Sequence, residues 1–171
     1  MELGSLIAWL NNDTRDALER AAQRCLQRGH HFVEIEHFLL ELLDIPGGDL
    51  QCLLPPLKVE RDDLADGINR ALELFKPGNT RTPSLSAQTV SLLKDAVLHA
   101  GERGEQRIRS GLLLLTLLER DDYRSLLLNS APSLLAIPLD QLRGQFAEWT
   151  AGSREQPAAT APAKRGKATA K

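Results

Sequence analysis

Aromatic residues and cysteines are scarce in this chain of 171 residues. Aromatics make up 4% of the sequence, whereas the hydrophobic fraction of 42% consists mostly of leucine and alanine. Straight-chain and small side chains lose little conformational freedom in a helix, so this composition favours helix over strand. The two cysteines, Cys25 and Cys52, lack the spacing of a disulfide framework or a metal site. We expect Cys25 to be a buried, reduced thiol, because it falls on the apolar stripe of a predicted helix.

Long apolar runs are absent as well. No window reaches the roughly 18 apolar residues needed for a membrane-spanning helix. The N-terminal stretch MELGSLIAWLNND has neither the basic start nor the uninterrupted apolar core of a signal peptide. We therefore expect a soluble, cytoplasmic protein without a membrane partner.

An excess of basic charge is missing from most of the chain. Residues 1–150 carry 16 Lys and Arg against 22 Asp and Glu, whereas residues 151–171 carry five basic side chains against one acidic. Nucleic-acid binding needs a clustered basic face, so no nucleic-acid partner is expected. The segment 151–171 is also rich in Ala, Pro and Thr, which predicts a flexible linker or tail after a domain of residues 1–150.

Complete motifs of enzymes and metal sites are lacking too. The segment RGKAT resembles the end of a phosphate-binding loop, but Ala168 stands where Ser or Thr would bind magnesium. His30, His31 and His37 lie close together with two glutamates, yet their spacing matches no zinc signature. The simpler interpretation is that His37 forms a hydrogen bond at the buried start of a helix. We predict that this chain is not an enzyme and has no catalytic residue, metal or cofactor of its own.

An internal repeat is the most informative feature that is present. Residues 10–44 and 85–119 align without a gap, and ten of the 35 positions are identical. The repeat predicts two similar, packed halves, and two copies favour a closed globule with a pseudo-two-fold axis. The identical pairs are Leu10/Leu85, Thr14/Thr89, Leu18/Leu93, Ala21/Ala96, Arg28/Arg103, Gly29/Gly104, Leu39/Leu114, Leu40/Leu115, Leu42/Leu117 and Leu43/Leu118.

Helical periodicity predicts the architecture of each half. We expect an all-α fold of two tandem four-helix repeats, about residues 10–75 and 85–150, with an extra short helix at the N-terminus. The first helix of repeat one is predicted to open at the cap-type residues Asn12 and Asp13. The second helix of each repeat is apolar almost all round and should be central, with Leu40 and Leu115 in the core.

The N-terminal segment has no counterpart in the second repeat, where the polar connector KPGNTRTPS takes its position. Its apolar residues either close the helical bundle or line a groove for a partner's amphipathic helix. We expect the starts of the two equivalent first helices to approach each other, with Leu10 and Leu85 as anchors of such a groove. The predicted groove residues are Leu6, Ile7, Leu10, Thr14, Leu85, Thr89, Val90 and Leu93.

The order of these motifs resembles a known family. Tandem copies of a cap and an Ala/Leu helix ending in Arg-Gly, with an E-H-x-L-L-x-L-L helix after the first, are similar to the N-terminal domain of Clp-type unfoldase ATPases. Three stretches resemble the ClpV branch of that family, the ATPases of bacterial type VI secretion. They are VEIEHFLLELLD, NTRTPSLS and IRSGLLLLTLL, at positions 33–44, 79–86 and 108–118.

The resemblance implies a substrate-recognition role. The domain would capture an N-terminal helix of the larger subunit of the contracted secretion sheath, and the ATPase ring would then disassemble the sheath. ATP and Mg²⁺ would belong to the ATPase modules of a hexameric parent, and the isolated domain would be a monomer. Other Clp N-domains bind adaptor proteins or unfolded clients, which is the alternative partner class.

Overall fold

The computed structural model of the protein describes residues 1–157, and these form a mainly helical fold. The predicted all-α class is confirmed, because strand in this part of the chain is limited to two segments of two residues. No helix in the described range is both long and apolar enough to cross a membrane. The elements in chain order are α1 (Leu3–Trp9), α2 (Asn12–Gln27), β1 (Phe32–Val33), α3 (Ile35–Leu42), α4 (Asp49–Leu53), α5 (Arg61–Glu73), β2 (Ser84–Leu85), α6 (Ala87–Arg103), α7 (Ser110–Glu119), α8 (Asp121–Ser130), a 3₁₀ helix (Pro132–Ala136) and α9 (Leu139–Trp149).

The first helix of each half begins at an equivalent cap. The Asn11 Oδ1 accepts a hydrogen bond from the Thr14 backbone N–H at 2.8 Å, and the Ser86 Oγ accepts one from the Thr89 N–H at 3.1 Å. The cap of α2 therefore lies one residue before the predicted start. Each threonine hydroxyl also donates to a backbone carbonyl of the opposite half, at 3.2 and 2.9 Å. These caps fasten the two halves together where their first helices start.

The two halves also exchange matching backbone pairs. Val33 in β1 pairs in parallel with Leu85 in β2, and Leu10 forms a parallel bridge with Ile108. The two pairs are equivalent in the repeat. Ile108 lies 75 positions after Val33, and Leu85 lies 75 positions after Leu10. Reciprocal pairing of this kind is expected of a pseudo-two-fold axis, although the rotation itself stays a prediction. Leu10 and Leu85 each pair with the segment that leads into the other half's second helix, and the expected approach of the two leucines stays a prediction.

The second helices of the two halves are central, as predicted. Every residue of α3 is buried, and so is every residue of α7 before Glu119. Leu40 is 8% exposed and Leu115 is 0% exposed, which confirms both as core residues. Around them, α3 packs against α2 and α5, while α7 packs against α4, α6, α8 and α9.

The segment that follows α9 turns back onto the domain. Ser153 and Glu155 are each 6% exposed. Arg154 between them forms an ion pair with Asp13 at 3.1 Å, which joins the segment to the first turn of α2.

These contacts correct the prediction of a flexible tail beginning at residue 151. The composition suggested a solvated linker, but the Glu155 carboxylate accepts hydrogen bonds from backbone N–H groups at the starts of α4 and α7. Such long-range partners leave no trace in composition. The rest of the predicted tail, residues 158–171, lies outside the described residues.

Candidate functional site

The face where α1 meets α6 is the candidate site. The short α1 packs against α6 and inserts Leu6 into the core, where it is 1% exposed. Ile7 is partly exposed and packs on the edge of the core, and Leu3 is 42% exposed. The helix α1, which has no counterpart in the second repeat, thus closes the bundle with Leu6 and presents apolar surface through Leu3 and Ile7.

The structure separates the predicted groove residues into two sets. Three are partly exposed and lie at the edge of the core: Ile7, Leu85 and Val90. Five are buried: Leu6, Leu10, Thr14, Thr89 and Leu93.

Burial corrects the predicted role of the second set. Leu10 was expected to be an anchor for a partner, but it is 1% exposed and held in the bridge to Ile108. Thr14 and Thr89 are 0% exposed, since their hydroxyl groups complete the contacts between the halves. These side chains are not accessible to a partner while α1 keeps this position.

The histidine cluster forms a helix cap. The backbone N–H of Glu34 donates to His37 Nδ1 at 2.9 Å, so the remaining ring proton lies on Nε2 and points to His30 Nδ1 at 2.8 Å. Burial, then His30 and Arg28, lower the pKa of His37 to about 4, so its ring is neutral at pH 7. The interpretation of His37 as a hydrogen-bonding residue at a buried helix start is confirmed. Within residues 1–157 no group of three or more His, Cys, Asp or Glu side chains could hold a metal ion.

The Glu36 carboxylate is a feature that the sequence analysis missed. Glu36 is 7% exposed, and its Oε1 is buried without a hydrogen-bond partner. Burial, together with Glu34, raises its pKa to about 7. It lines an open pocket with a volume of about 660 Å³, together with Leu74, which is 86% exposed. The only signal in the sequence was an acidic residue at the start of a strongly apolar helix.

Replacing Glu36 by Gln is expected to stabilise the domain at pH 8. The carboxyl has a pKa of about 7 when folded and an ordinary value of 4.5, so the folded state binds more protons over this interval. The loss of folding stability caused by ionising this carboxyl is absent below pH 4.5, grows as the pH rises to 7, and is then constant. A pKa difference of this size corresponds to about 3 kcal/mol at most.

Urea unfolding of both proteins at pH 4, 6 and 8 measures this difference. The curves should coincide at pH 4 and separate by pH 8. Glu73→Gln on the exposed side of α5 is the matched control and should behave as the parent. A stabilisation that is the same at all three pH values would contradict the assignment of the effect to ionisation.

Comparisons with known proteins identify the family of this chain. The Clp repeat (R) N-terminal domain family matches residues 10–131. The AAA+ ATPase ClpV1 of Pseudomonas aeruginosa is 24% identical over 152 residues, which cover 88% of this chain and 17% of that protein. The chaperone protein ClpB of Yersinia enterocolitica is 32% identical over 139 residues, which cover 81% of this chain and 16% of that protein. The chain thus spans about a sixth of the length of these curated relatives.

A solved complex of a ClpV N-domain with a VipB peptide has a similar fold. It superposes with a TM-score of 0.75 at 31% sequence identity, covering 91% of this chain and 95% of that one. The resemblance to Clp-family N-domains, and among them to ClpV, is confirmed. Because the family match covers residues 10–131, most of the chain, the chain belongs to the family of Clp repeat (R) N-terminal domains.

Proposed function

We propose that this chain is a peptide-binding N-domain that recognises an N-terminal helix of the larger subunit of a type VI secretion sheath. The observation that carries the proposal is the packing of α1 on α6, with Ile7 of α1, Val90 of α6 and Leu85 of β2 partly exposed at the edge of the core. We call these three residues the α1–α6 edge. The similarity to a ClpV N-domain in complex with a VipB peptide supports the peptide as ligand class. An amphipathic helix can lay its apolar face on such an edge.

The proposed interaction is modest in strength. Ordering a free peptide into a helix consumes part of the energy gained from apolar contact, so we expect a dissociation constant on the order of micromolar. The domain itself performs recognition. Sheath disassembly, ATP and Mg²⁺ belong in this proposal to the ATPase modules of a longer, hexameric, cytoplasmic parent, and the isolated domain is a monomer.

A second candidate function is the binding of adaptor proteins or unfolded clients. It is favoured by the similarity to a ClpB chaperone at 32% identity. The two candidates differ in selectivity. A sheath-type N-domain binds one helical peptide stoichiometrically, whereas a general client-binding domain takes up casein-like unfolded chains without selection.

Charge introduced at the α1–α6 edge is expected to weaken peptide binding strongly. Leu85→Glu/Val90→Glu places two carboxylates where the apolar face of the peptide would lie, and burying them unpaired weakens the complex at least about 10-fold, or 1.4 kcal/mol. Both positions are partly exposed, so the new side chains can reach solvent in the free domain. Leu10→Glu is unsuitable, because it would place a charge in the core.

The measurement is fluorescence anisotropy of a labelled peptide from the N-terminus of a sheath large subunit, with unlabelled casein as competitor. Leu98→Glu is the matched control, since Leu98 is 68% exposed on α6 and lies outside the proposed edge. Unchanged circular dichroism is required of all variants. Equal peptide affinity in the double variant and the parent would contradict the proposed site, and displacement of the peptide by casein would favour the client-binding alternative.

A further inference from the structure

Glu155 joins three helix starts that are far apart in sequence. Its carboxylate accepts hydrogen bonds from the backbone N–H of Asp49 at 2.8 Å, from that of Ser110 at 2.8 Å and from the Asn11 side-chain amide at 3.2 Å. The Ser110 hydroxyl is a further donor. The fit is close, because a Cβ added at Gly48 would lie 2.8 Å from Glu155 Oε2. Glu155 therefore caps α4 and α7 together and holds the cap of α2.

The neighbours of Glu155 are fastened to the same surface. The Arg154 guanidinium pairs with Asp13 at 3.1 Å, and the Gln156 side chain accepts a hydrogen bond from Arg109 at 3.1 Å. Residues 153–156, which we call the C-terminal latch, thus contact helices of both repeats.

The latch connects directly to the end of α1. Asn11, which donates to Glu155, follows Leu10 in the chain, and its own backbone N–H donates to the Ile108 carbonyl at 3.0 Å. The Ile108 N–H in turn donates to the Trp9 carbonyl at 2.8 Å. The last residue of α1 is therefore tied to Ile108 in the segment that leads into Ser110, and Ser110 donates hydrogen bonds to Glu155 of the latch.

We propose that the C-terminal latch holds α1 in its closed position against α6 and that its release opens the peptide face. In the closed position Leu6 and Leu10 are buried, and only the α1–α6 edge is partly exposed. Release removes the hydrogen bond from Asn11 to Glu155 and frees the α1–α2 junction. The coupling is reciprocal, so displacement of α1 by a ligand loosens the latch to the same extent. The consequence for peptide affinity rests on the proposed function, whereas the coupling between latch and α1 does not.

Hydrogen exchange of the complete 171-residue chain tests the coupling without any ligand. In Glu155→Ala the amides of residues 6–10 are expected to exchange at least about 10-fold faster, because α1 opens more often. The amides of α5 keep their rates, because within the described residues no hydrogen bond or ion pair joins the latch to Arg61–Glu73. Glu148→Ala on the exposed side of α9 is the matched control and leaves both regions unchanged.

Asn11→Ser is a second variant that preserves the fold. Serine caps the equivalent helix at Ser86, so the Thr14 N–H keeps an acceptor while the donor to Glu155 is lost. We expect faster exchange in α1 here as well, to a smaller extent than in Glu155→Ala. If Glu155→Ala does not fold, this variant decides the question. Unchanged α1 exchange in Asn11→Ser would overturn the proposal.

Peptide titration of the same variants separates the proposal from the proposed function. With the labelled sheath peptide, Asn11→Ser should bind several-fold more tightly than the parent. Faster α1 exchange with unchanged affinity would overturn the claim that the latch controls the peptide face. If no variant binds the peptide, the proposed function fails, and the exchange data alone support or overturn the coupling of latch and α1.

Discussion

Asp49→Ala is expected to lower the free energy of unfolding by about 3–5 kcal/mol, the cost of leaving one partner of a buried ion pair uncompensated. Asp49 and Arg109 are 0% and 5% exposed. They form a two-pronged pair, with Nε to Oδ2 at 2.7 Å and Nη2 to Oδ1 at 2.8 Å. The Gly111 N–H is a third donor to this carboxylate, at 3.0 Å. Alanine removes the acceptor of all three hydrogen bonds and leaves the guanidinium buried.

Urea unfolding at pH 7 measures this loss. Asp62→Ala is the matched control, because Asp62 pairs with Arg61 on the surface and its side chain is 88% exposed. Surface pairs contribute about 0–1 kcal/mol. Adding Arg109→Met to Asp49→Ala should recover part of the stability by removing the uncompensated charge. A loss no larger than that of the control would contradict the structural importance of the buried pair.

Leu115→Ala is expected to lower the free energy of unfolding by about 2–5 kcal/mol, and near the upper end of that range. Leu115 is 0% exposed at the centre of α7, which is buried on all sides except at its last residue. A helix packed on all sides cannot easily collapse into the space that a removed side chain leaves. The resulting cavity therefore adds to the lost burial of apolar surface.

Leu40→Ala provides an internal comparison for this prediction. Leu40 occupies the equivalent position in repeat one but is 8% exposed, so its replacement should cost less than that of Leu115. Leu98→Ala, at a position 68% exposed, should leave the unfolding midpoint in urea almost unchanged. A larger loss of unfolding free energy in Leu40→Ala than in Leu115→Ala would be inconsistent with the packing described for the two central helices.

Patterns local in sequence determined the helices and the central position of two of them. Three identical leucine pairs of the repeats fall at equivalent positions of α3 and α7, and a helix that is apolar on all sides can bury its side chains only inside the fold. Gly29 and Gly104 end the equivalent first helices with φ of +74° and +73°, a conformation that glycine adopts without strain. The hydrogen-bonding role of His37 was also readable, because it depends on a residue three positions away.

Equivalent positions in the repeat did not guarantee equivalent surroundings. Glu36 in repeat one corresponds by position to Gly111 in repeat two. A Cβ at Gly111 would lie 2.7 Å from the Phe146 ring and 3.0 Å from the Asp49 carboxylate, so no side chain fits there. The sequence showed that the halves are alike, but only the packing of α4 and α9 against α7 explains this difference.

Accessibility and long-range polar partners were decided by the tertiary structure alone. The predicted groove anchor Leu10 is buried, and its backbone partner, Ile108, comes from the other repeat. Glu155 belongs to the domain because its hydrogen-bond partners include Asn11, 144 positions earlier in the chain. Periodicity reports which face of a helix is apolar, since that depends on neighbours three or four residues away. Which surface covers that face, and which helix starts need a carboxylate, depends on contacts between distant segments that exist only in the folded chain.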